Sequence, residues 1–166
     1  NETTEISFKN YEPTGELRLF KTDKETGREN RADGIGHHGD ATLNDTEYTL
    51  YANEDIFNVA KTVKYFSKDE AIATFTFNSN GVAKINISTS CKTANLTTEE
   101  DFLKGLPMGS YYAKETKVPE GYLTDTEVHS ITFRYKDMNT KVIKLEDTFT
   151  NQVQKAKFEV IKVSSI

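Results

Sequence analysis

The sequence predicts an all-β fold, a β-sandwich with long loop insertions between its strands. Short runs rich in Thr, Tyr, Phe, Val and Ile alternate polar and apolar positions with a period of two residues, as half-buried strands do. Turn residues separate these runs at short intervals, and there is no long amphipathic helix pattern. The chain of 166 residues is long enough for one domain with a real core, or for one domain with pieces of its neighbours.

Seven strands are predicted where this alternation recurs along the chain. They cover residues 17–21, 46–52, 71–77, 82–87, 111–116, 129–135 and 141–153. The sequence Asn78-Ser-Asn-Gly81 separates the third and fourth strands and is typical of a hairpin turn. These two strands are therefore expected to pair with each other.

One short helical turn is predicted at residues 98–103. Thr98 is a suitable N-cap, and the three acidic residues that follow it lie near the positive end of the helix dipole. Pro107 and Gly109 are expected to end this turn. Residues 53–69 and 91–97 are predicted to be long connections without a defined element.

The composition excludes several classes of function. The net charge of −5 provides no basic surface for nucleic acid. No apolar run reaches transmembrane length, and the first residues lack the pattern of a signal peptide, so no membrane insertion is expected within this chain. A secreted parent protein would carry its targeting sequence elsewhere. Cys91 is the single cysteine, so a disulfide within the chain is impossible.

The two ends of the chain resemble each other at a constant offset of 141 residues. The matched pairs are Phe8 and Phe149, Asn10 and Asn151, Leu17 and Phe158, and Lys21 and Lys162. A repeat of this length is typical of tandem domains. It predicts that residues 1–10 end a preceding domain or form an N-terminal linker strand. Residues 11–156 then form the sandwich domain, and residues 157–166 begin a following domain or form a C-terminal strand. The alternative is that two strands alternate similarly by chance.

Three polar side chains fall on the apolar faces of their predicted strands: Lys21, Glu115 and Asn151. Their neighbours on those faces are Leu17 and Leu19, Tyr111 and Ala113, and Phe149. An ionised side chain is costly to bury unless it is paired or neutralised. An amine, a carboxylic acid and a carboxamide are together the groups that an amide-forming reaction needs.

This combination predicts an isopeptide bond between Lys21 and Asn151. Burial lowers the pKa of the Lys21 amine, which becomes a free nucleophile, and raises the pKa of Glu115, which can then polarise the Asn151 carbonyl. Glu115 would shuttle the proton as ammonia leaves. On alternation alone, two simpler readings are favoured over this bond: the three side chains reach solvent at the strand ends, or Lys21 and Glu115 form an ion pair.

Four blocks in a fixed order favour the isopeptide bond. They are residues 19–27 (LFKTDKETG), 39–52 (GDATLNDTEYTLYA), 106–122 (LPMGSYYAKETKVPEGY) and 149–151 (FTN). In this order and with these motifs the chain resembles the collagen-adhesin B-type, SpaA-like isopeptide-forming pilin and adhesin domains of Gram-positive surface proteins. The resemblance spans residues 19–151.

The resemblance implies a reversed-immunoglobulin, prealbumin-like sandwich in which the first and last strands are adjacent. It implies an isopeptide bond between Lys21 and Asn151, with Glu115 as the catalytic proton shuttle. Lys162 would be the lysine of the next domain, and Asn10 the asparagine of the preceding one. The expected function is that of a structural stalk domain of a cell-wall-anchored pilin or adhesin. Beyond one self-catalysed cross-link, neither enzymatic turnover nor a cofactor is expected, and the partners are neighbouring domains of the same polypeptide.

The alternative function is that of a ligand-binding adhesin domain. Loops 28–44, 53–70 and 88–104 would then contact a host extracellular protein or glycan. Tyr65 and Phe66 are the neighbouring aromatic residues in those loops, and an exposed aromatic patch there would favour binding.

Two other groups of residues are weaker candidates for chemistry. The segment 33–40 contains His37, His38 and two aspartates, but their spacing fits no standard ligand pattern, so a solvated loop is expected rather than a metal site. Cys91 has no neighbouring histidine in a catalytic context and is expected to be a buried or idle thiol.

Overall fold

The computed structural model describes residues 12–25, 43, 46–78, 81–135, 142–152, 154 and 155. Its strands are β1 Thr14–Asp23, β2 Glu47–Ala52, β3 Ile56–Phe57, β4 Lys64–Phe66, β5 Ala71–Asn78, β6 Gly81–Ile87, β7 Leu106–Pro107, β8 Gly109–Lys117, β9 His129–Phe133 and β10 Val142–Asn151. A 3-10 helix covers Thr89–Ala94, and helix α1 covers Glu99–Lys104. Neither helix in these ranges is long and apolar enough to cross a bilayer.

Two sheets enclose the core. One has the strand order β10-β1-β7 and the other β6-β5-β2-β8-β9, while β3 and β4 form a separate two-stranded ribbon. Aromatic side chains supply much of the space between the sheets, and Tyr48, Phe75, Tyr111, Phe133 and Phe149 are almost completely buried. Burial of each such side chain contributes about 1.5–3 kcal/mol. The predicted all-β sandwich is confirmed.

The first and last described strands are adjacent, as expected. Strand β1 pairs with β10 in parallel, and this register places Lys21 opposite Phe149 and Asp23 opposite Asn151. Burial alternates along the whole of β1, which confirms that Lys21 points to the same side as Leu17 and Leu19. The pairing covers ten residues, so β1 is longer at both ends than the predicted strand 17–21.

Helix α1 has the predicted cap but a different end. Thr98 accepts a hydrogen bond from the backbone N–H of Asp101, and the Asp101 side chain accepts one from the backbone of Thr98, which is a capping box. The helix ends at Lys104, so the prediction that Pro107 and Gly109 end it was wrong. The chain leaves the helix earlier because Leu106–Pro107 pairs with the start of β1.

The predicted connections contain regular structure. Residues 53–69 include the β3–β4 ribbon, whose side chain Phe66 is 1% exposed and belongs to the core. The other predicted connection, residues 91–97, begins inside the 3-10 helix Thr89–Ala94, and Cys91 in that helix is completely buried. These two elements escaped sequence analysis because strands of two or three residues and single helical turns are too short to show a period.

Candidate functional site

Two of the three predicted reactive residues lie on neighbouring strands, and the third comes from the facing sheet. Lys21 lies on β1, Asn151 ends β10, and Glu115 lies on β8. Lys21 is 2% exposed and Asn151 is 1% exposed, while Glu115 is half-buried. The Glu115 carboxyl lies close enough to act electrostatically on Lys21 and to interact with the Asn151 side chain.

Each of the three residues carries a buried polar atom without a hydrogen-bond partner. Within the described ranges, such side-chain atoms are Lys21 Nζ, Glu115 Oε2 and Asn151 Oδ1. A buried polar group left unpaired costs about 1–3 kcal/mol, and native proteins contain few of them. Three in one place therefore require a chemical explanation.

The remaining polar atoms of Glu115 and Asn151 are held by one loop segment. Glu115 Oε1 accepts a hydrogen bond of 2.8 Å from the backbone N–H of Asp125. The Asn151 amide nitrogen Nδ2 donates a hydrogen bond of 2.8 Å to the backbone carbonyl of Leu123. These two bonds fix the orientation of both groups and leave Oε2 and Oδ1 as their unpaired ends.

An aromatic cluster lies beside the lysine amine. Lys21 Nζ lies 5.6 Å from the centre of the Tyr48 ring. That ring stacks on Phe149 with 4.3 Å between centroids, and the His129 ring lies 4.5 Å from Phe149. The amine nitrogen Nζ itself is buried.

Burial moves both ionisable groups towards their neutral forms. It lowers the pKa of Lys21 to about 8, although the charges of Glu115, Asp125 and Asp23 act in the opposite direction. Burial also raises the pKa of Glu115 above its ordinary value. The Asp125 N–H, the Asn151 side chain and the Lys21 charge each reduce that second shift.

Two buried or partly buried carboxylates beside the site, Asp23 and Asp125, were not predicted from the sequence. Asp23 is fully buried and accepts a hydrogen bond of 2.8 Å from the Tyr122 hydroxyl. Asp125 Oδ2 accepts a hydrogen bond of 2.6 Å from the Tyr48 hydroxyl and lies 2.6 Å from His129 Nε2. Continued alternation along β1 could have identified Asp23. Asp125 had no such signal, because it lies in the irregular segment between β8 and β9.

Oxygen and nitrogen atoms of Asp125, Glu127 and His129 lie within 4.8 Å of one another, which is close enough to hold a metal ion. Internal hydrogen bonds already satisfy Asp125, since Oδ1 accepts one from the Glu127 N–H at 2.9 Å and Oδ2 contacts Tyr48 and His129. These hydrogen bonds explain why Asp125, Glu127 and His129 lie close together, and a metal ion is not needed to explain it.

Several other predicted residues lie outside the described ranges or away from the site. Asn10, Lys162 and the His37–His38 segment fall outside the described residues, as does most of loop 28–44. Phe66 is buried in the core, so the aromatic pair that favoured ligand binding does not form an exposed patch. Burial raises the pKa of the Cys91 thiol, which is consistent with an inert side chain.

Comparisons with known proteins give one family match. The family model described as "SpaA: Prealbumin-like fold domain" matches residues 33–149. The matched range therefore contains Glu115 and ends just before Asn151. No curated protein matches the chain.

Similar solved structures include the GBS52 minor pilin of Streptococcus agalactiae, with 15% identity and a TM-score of 0.48, where 92% of this chain and 50% of that chain are covered. The Bacillus anthracis TIE protein has 17% identity and a TM-score of 0.47, and the match covers 85% of this chain and 17% of that chain. BcpA, the major pilin subunit of Bacillus cereus, has 18% identity and a TM-score of 0.43, and the match covers 86% of this chain and 31% of that chain. The chain thus spans half or less of the length of each of these proteins.

Proposed function

Since the chain belongs to the SpaA family of prealbumin-like domains, we propose that it is a structural stalk domain of a Gram-positive cell-surface pilin or adhesin. The domain acts within an extracellular, cell-wall-anchored polypeptide and contacts neighbouring domains of that polypeptide. Its chemistry is a single intramolecular cross-link between Lys21 and Asn151, with Glu115 as the proton shuttle. The domain has no catalytic turnover.

One observation carries the proposal of a cross-link. The amine nitrogen, the carboxyl oxygen and the carboxamide oxygen that the reaction requires are the unpaired buried atoms of the described residues. An ion pair between Lys21 and Glu115 would give Nζ and Oε2 hydrogen-bond partners. Solvent-exposed strand ends would hydrate all three atoms. Neither alternative accounts for their burial without partners.

The reaction proceeds by addition and elimination at the Asn151 side chain. Glu115, protonated on Oε2, hydrogen-bonds to Asn151 Oδ1 and polarises the carbonyl. The neutral amine of Lys21 attacks Cγ, and a new Nζ–Cγ bond forms. One amine proton passes through Glu115 to Nδ2, the Cγ–Nδ2 bond breaks, and ammonia leaves. Glu115 ends the reaction protonated, as it began.

The leaving group is already held in place before the reaction. Asn151 Nδ2 donates one of its two hydrogens to the Leu123 carbonyl, and this bond restrains rotation of the carboxamide. The carboxamide oxygen Oδ1 has no hydrogen-bond partner, so it can accept a hydrogen bond from a protonated Glu115.

The intact mass of the chain tests the proposed cross-link. The denatured wild-type protein is expected to be lighter than its calculated mass by one ammonia, about 17 Da, because Nδ2 is lost as the amide forms. Lys21→Arg should have its full calculated mass. Lys24→Arg, which changes an exposed lysine three residues away, should still lose ammonia. A folded wild-type chain at full mass would refute the cross-link.

The rate of bond formation is expected to have a bell-shaped dependence on pH. The reaction needs Lys21 as a neutral amine and Glu115 as a protonated acid. In this state the two residues share one titratable proton, which is on Glu115. Above the Lys21 pKa of about 8 this proton is lost and Glu115 can no longer act as an acid. Below the raised pKa of Glu115 a second proton binds and Lys21 becomes ammonium.

The profile is measured on full-length chain newly made by cell-free translation, incubated at a series of pH values and sampled into denaturant for intact mass. A rate that continued to rise well above pH 8 would mean that a protonated Glu115 is not required.

A further inference from the structure

Asp125 joins three elements around the site through its side chain. Its Oδ2 atom accepts a hydrogen bond of 2.6 Å from the Tyr48 hydroxyl on β2 and lies 2.6 Å from His129 Nε2 at the start of β9. Its Oδ1 atom accepts from the backbone of Glu127 at 2.9 Å. The Asp125 side chain is 8% exposed, so these contacts lie largely out of water.

The backbone around Asp125 contacts two of the reactive groups directly. The Asp125 N–H donates to Glu115 Oε1, and the Leu123 carbonyl accepts from Asn151 Nδ2. Residues 121–125, here called the strap, therefore determine how the acid and the carboxamide face each other. The strap forms one isolated bridge at Tyr122, but residues 123–125 belong to no strand, so sheet pairing does not fix the Asp125 end of the strap.

We propose that Asp125 is a positioning residue for the cross-link, because its hydrogen bonds to Tyr48 and His129 hold the strap where it orients Glu115 and Asn151. The inference rests on the cross-link proposed above. Asp125 touches no reacting atom with its side chain and takes no part in the proton transfers. Its effect passes through its own backbone N–H and through the Leu123 carbonyl two residues earlier.

The other end of the strap is attached independently. Leu123 N–H donates to the Gln152 carbonyl at 2.8 Å, and Gln154 N–H donates to the Gly121 carbonyl at 2.8 Å. The Tyr122 hydroxyl is bound to Asp23. Loss of the Asp125 side chain would thus release one end of the strap while the end beside β10 stayed in place.

Small displacements at this position have large effects on rate. A near-attack geometry requires the reacting atoms to be held about 3–3.5 Å apart, and a misplacement of 1 Å can slow a reaction about 100-fold. Tyr48 strengthens the connection, because the ring that hydrogen-bonds to Asp125 is also the ring beside Lys21 Nζ. Asp125 is therefore connected to all three reactive residues.

The test compares the rate of ammonia loss in Asp125→Ala, Asp125→Asn and wild type, using newly translated full-length chain and intact mass against time. Asp125→Ala should react at least about 10-fold more slowly at its own optimum pH. Asp125→Asn, which keeps one acceptor oxygen, should be intermediate. Asp69→Asn is the matched control, because Asp69 also accepts a tyrosine hydroxyl bond, from Tyr112 at 3.0 Å, in an exposed position. This control should react at the wild-type rate.

A second readout separates positioning from a purely structural effect. The groups that face the site are Asp23, Glu115, Asp125, Glu127, His129 and Asp147, with Lys21 and Tyr48. The Asp125 charge raises the pKa of both Lys21 and Glu115, so in Asp125→Asn the bell-shaped profile should move to lower pH. A variant that was only less stable would keep the wild-type profile.

The outcomes are distinct. Wild-type rates and pH profiles in folded Asp125 variants, with resistance to a brief protease pulse as the measure of folding, would overturn the inference and leave the cross-link intact. If Asp125→Ala does not fold, Asp125→Asn decides. A wild-type chain that never loses ammonia would refute the proposed cross-link itself, and the inference with it.

Discussion

Glu115→Gln is expected to leave the chain at full mass and to lower its free energy of unfolding by about 5 kcal/mol, by analogy with a disulfide that closes a loop of this length. The melting temperature of a domain of this size should then fall by about 10–20 °C. The bond between Lys21 and Asn151 would enclose 129 residues, and without it the unfolded chain recovers the conformational freedom of that whole loop.

A second contribution adds to this effect. In the unlinked variant the Lys21 amine and the Asn151 carboxamide stay buried, and each unpaired polar group costs about 1–3 kcal/mol. In the linked protein the amine has become an amide nitrogen, which no longer takes up a proton. Gln keeps the size of Glu115, so the core of the variant is expected to form.

Thermal and urea unfolding, each combined with intact mass, provide the measurement. Glu47→Gln is the control, because Glu47 lies one strand away on β2, accepts a hydrogen bond from the Thr116 hydroxyl, and lies outside the reactive group. It should retain the ammonia loss and nearly all the stability. If Glu115→Gln had full mass but wild-type stability, the cross-link would not be the source of stability in this domain.

Pulling the domain by its two ends should give no unfolding step in the linked protein. Tension entering through β1 would cross at the Lys21–Asn151 bond and leave after β10, because these strands are parallel neighbours. The 129 residues between the two linked positions would carry no load. A covalent bond cannot be opened by the forces that separate hydrogen-bonded strands.

The unlinked Glu115→Gln variant should behave differently under the same load. Its β1–β10 pairing would shear, and the enclosed residues would extend by about 3.3–3.6 Å each, a gain on the order of 400 Å in contour length. Single-molecule force spectroscopy of the domain between inert handles measures this gain directly. A wild-type trace with the same long step would show that the two strands are not joined.

The sequence predicted the sandwich and the reactive residues because both depend on a period of two. Lys21 and Asn151 could be placed on apolar faces from their neighbours alone, and the structure buries both. The adjacency of β1 and β10 came from resemblance to a family rather than from alternation, since a parallel pairing between distant segments has no local signal. Their roles in a cross-link remain a prediction.

The strap around Asp125 could not be predicted, for a physical reason. Its influence comes from backbone groups, the Leu123 carbonyl and the Asp125 N–H, and every residue type except proline carries both groups. Only the folded positions of β8, β10 and the segment between β8 and β9 make them specific. Asp23 is the opposite case, because it lies two residues beyond Lys21 on the same face and the alternation of β1 continues to it.

The most direct test of the cross-link is to locate it in a tryptic digest. Trypsin should be unable to cut after Lys21, since the amide removes the charge that the protease recognises. The linked protein should give one branched peptide in which residues 19–24 are joined to residues 145–155 with the loss of one ammonia, and fragmentation should place the junction at Lys21 and Asn151. Separate linear peptides 19–21, 22–24 and 145–155 from the folded wild-type protein would contradict it.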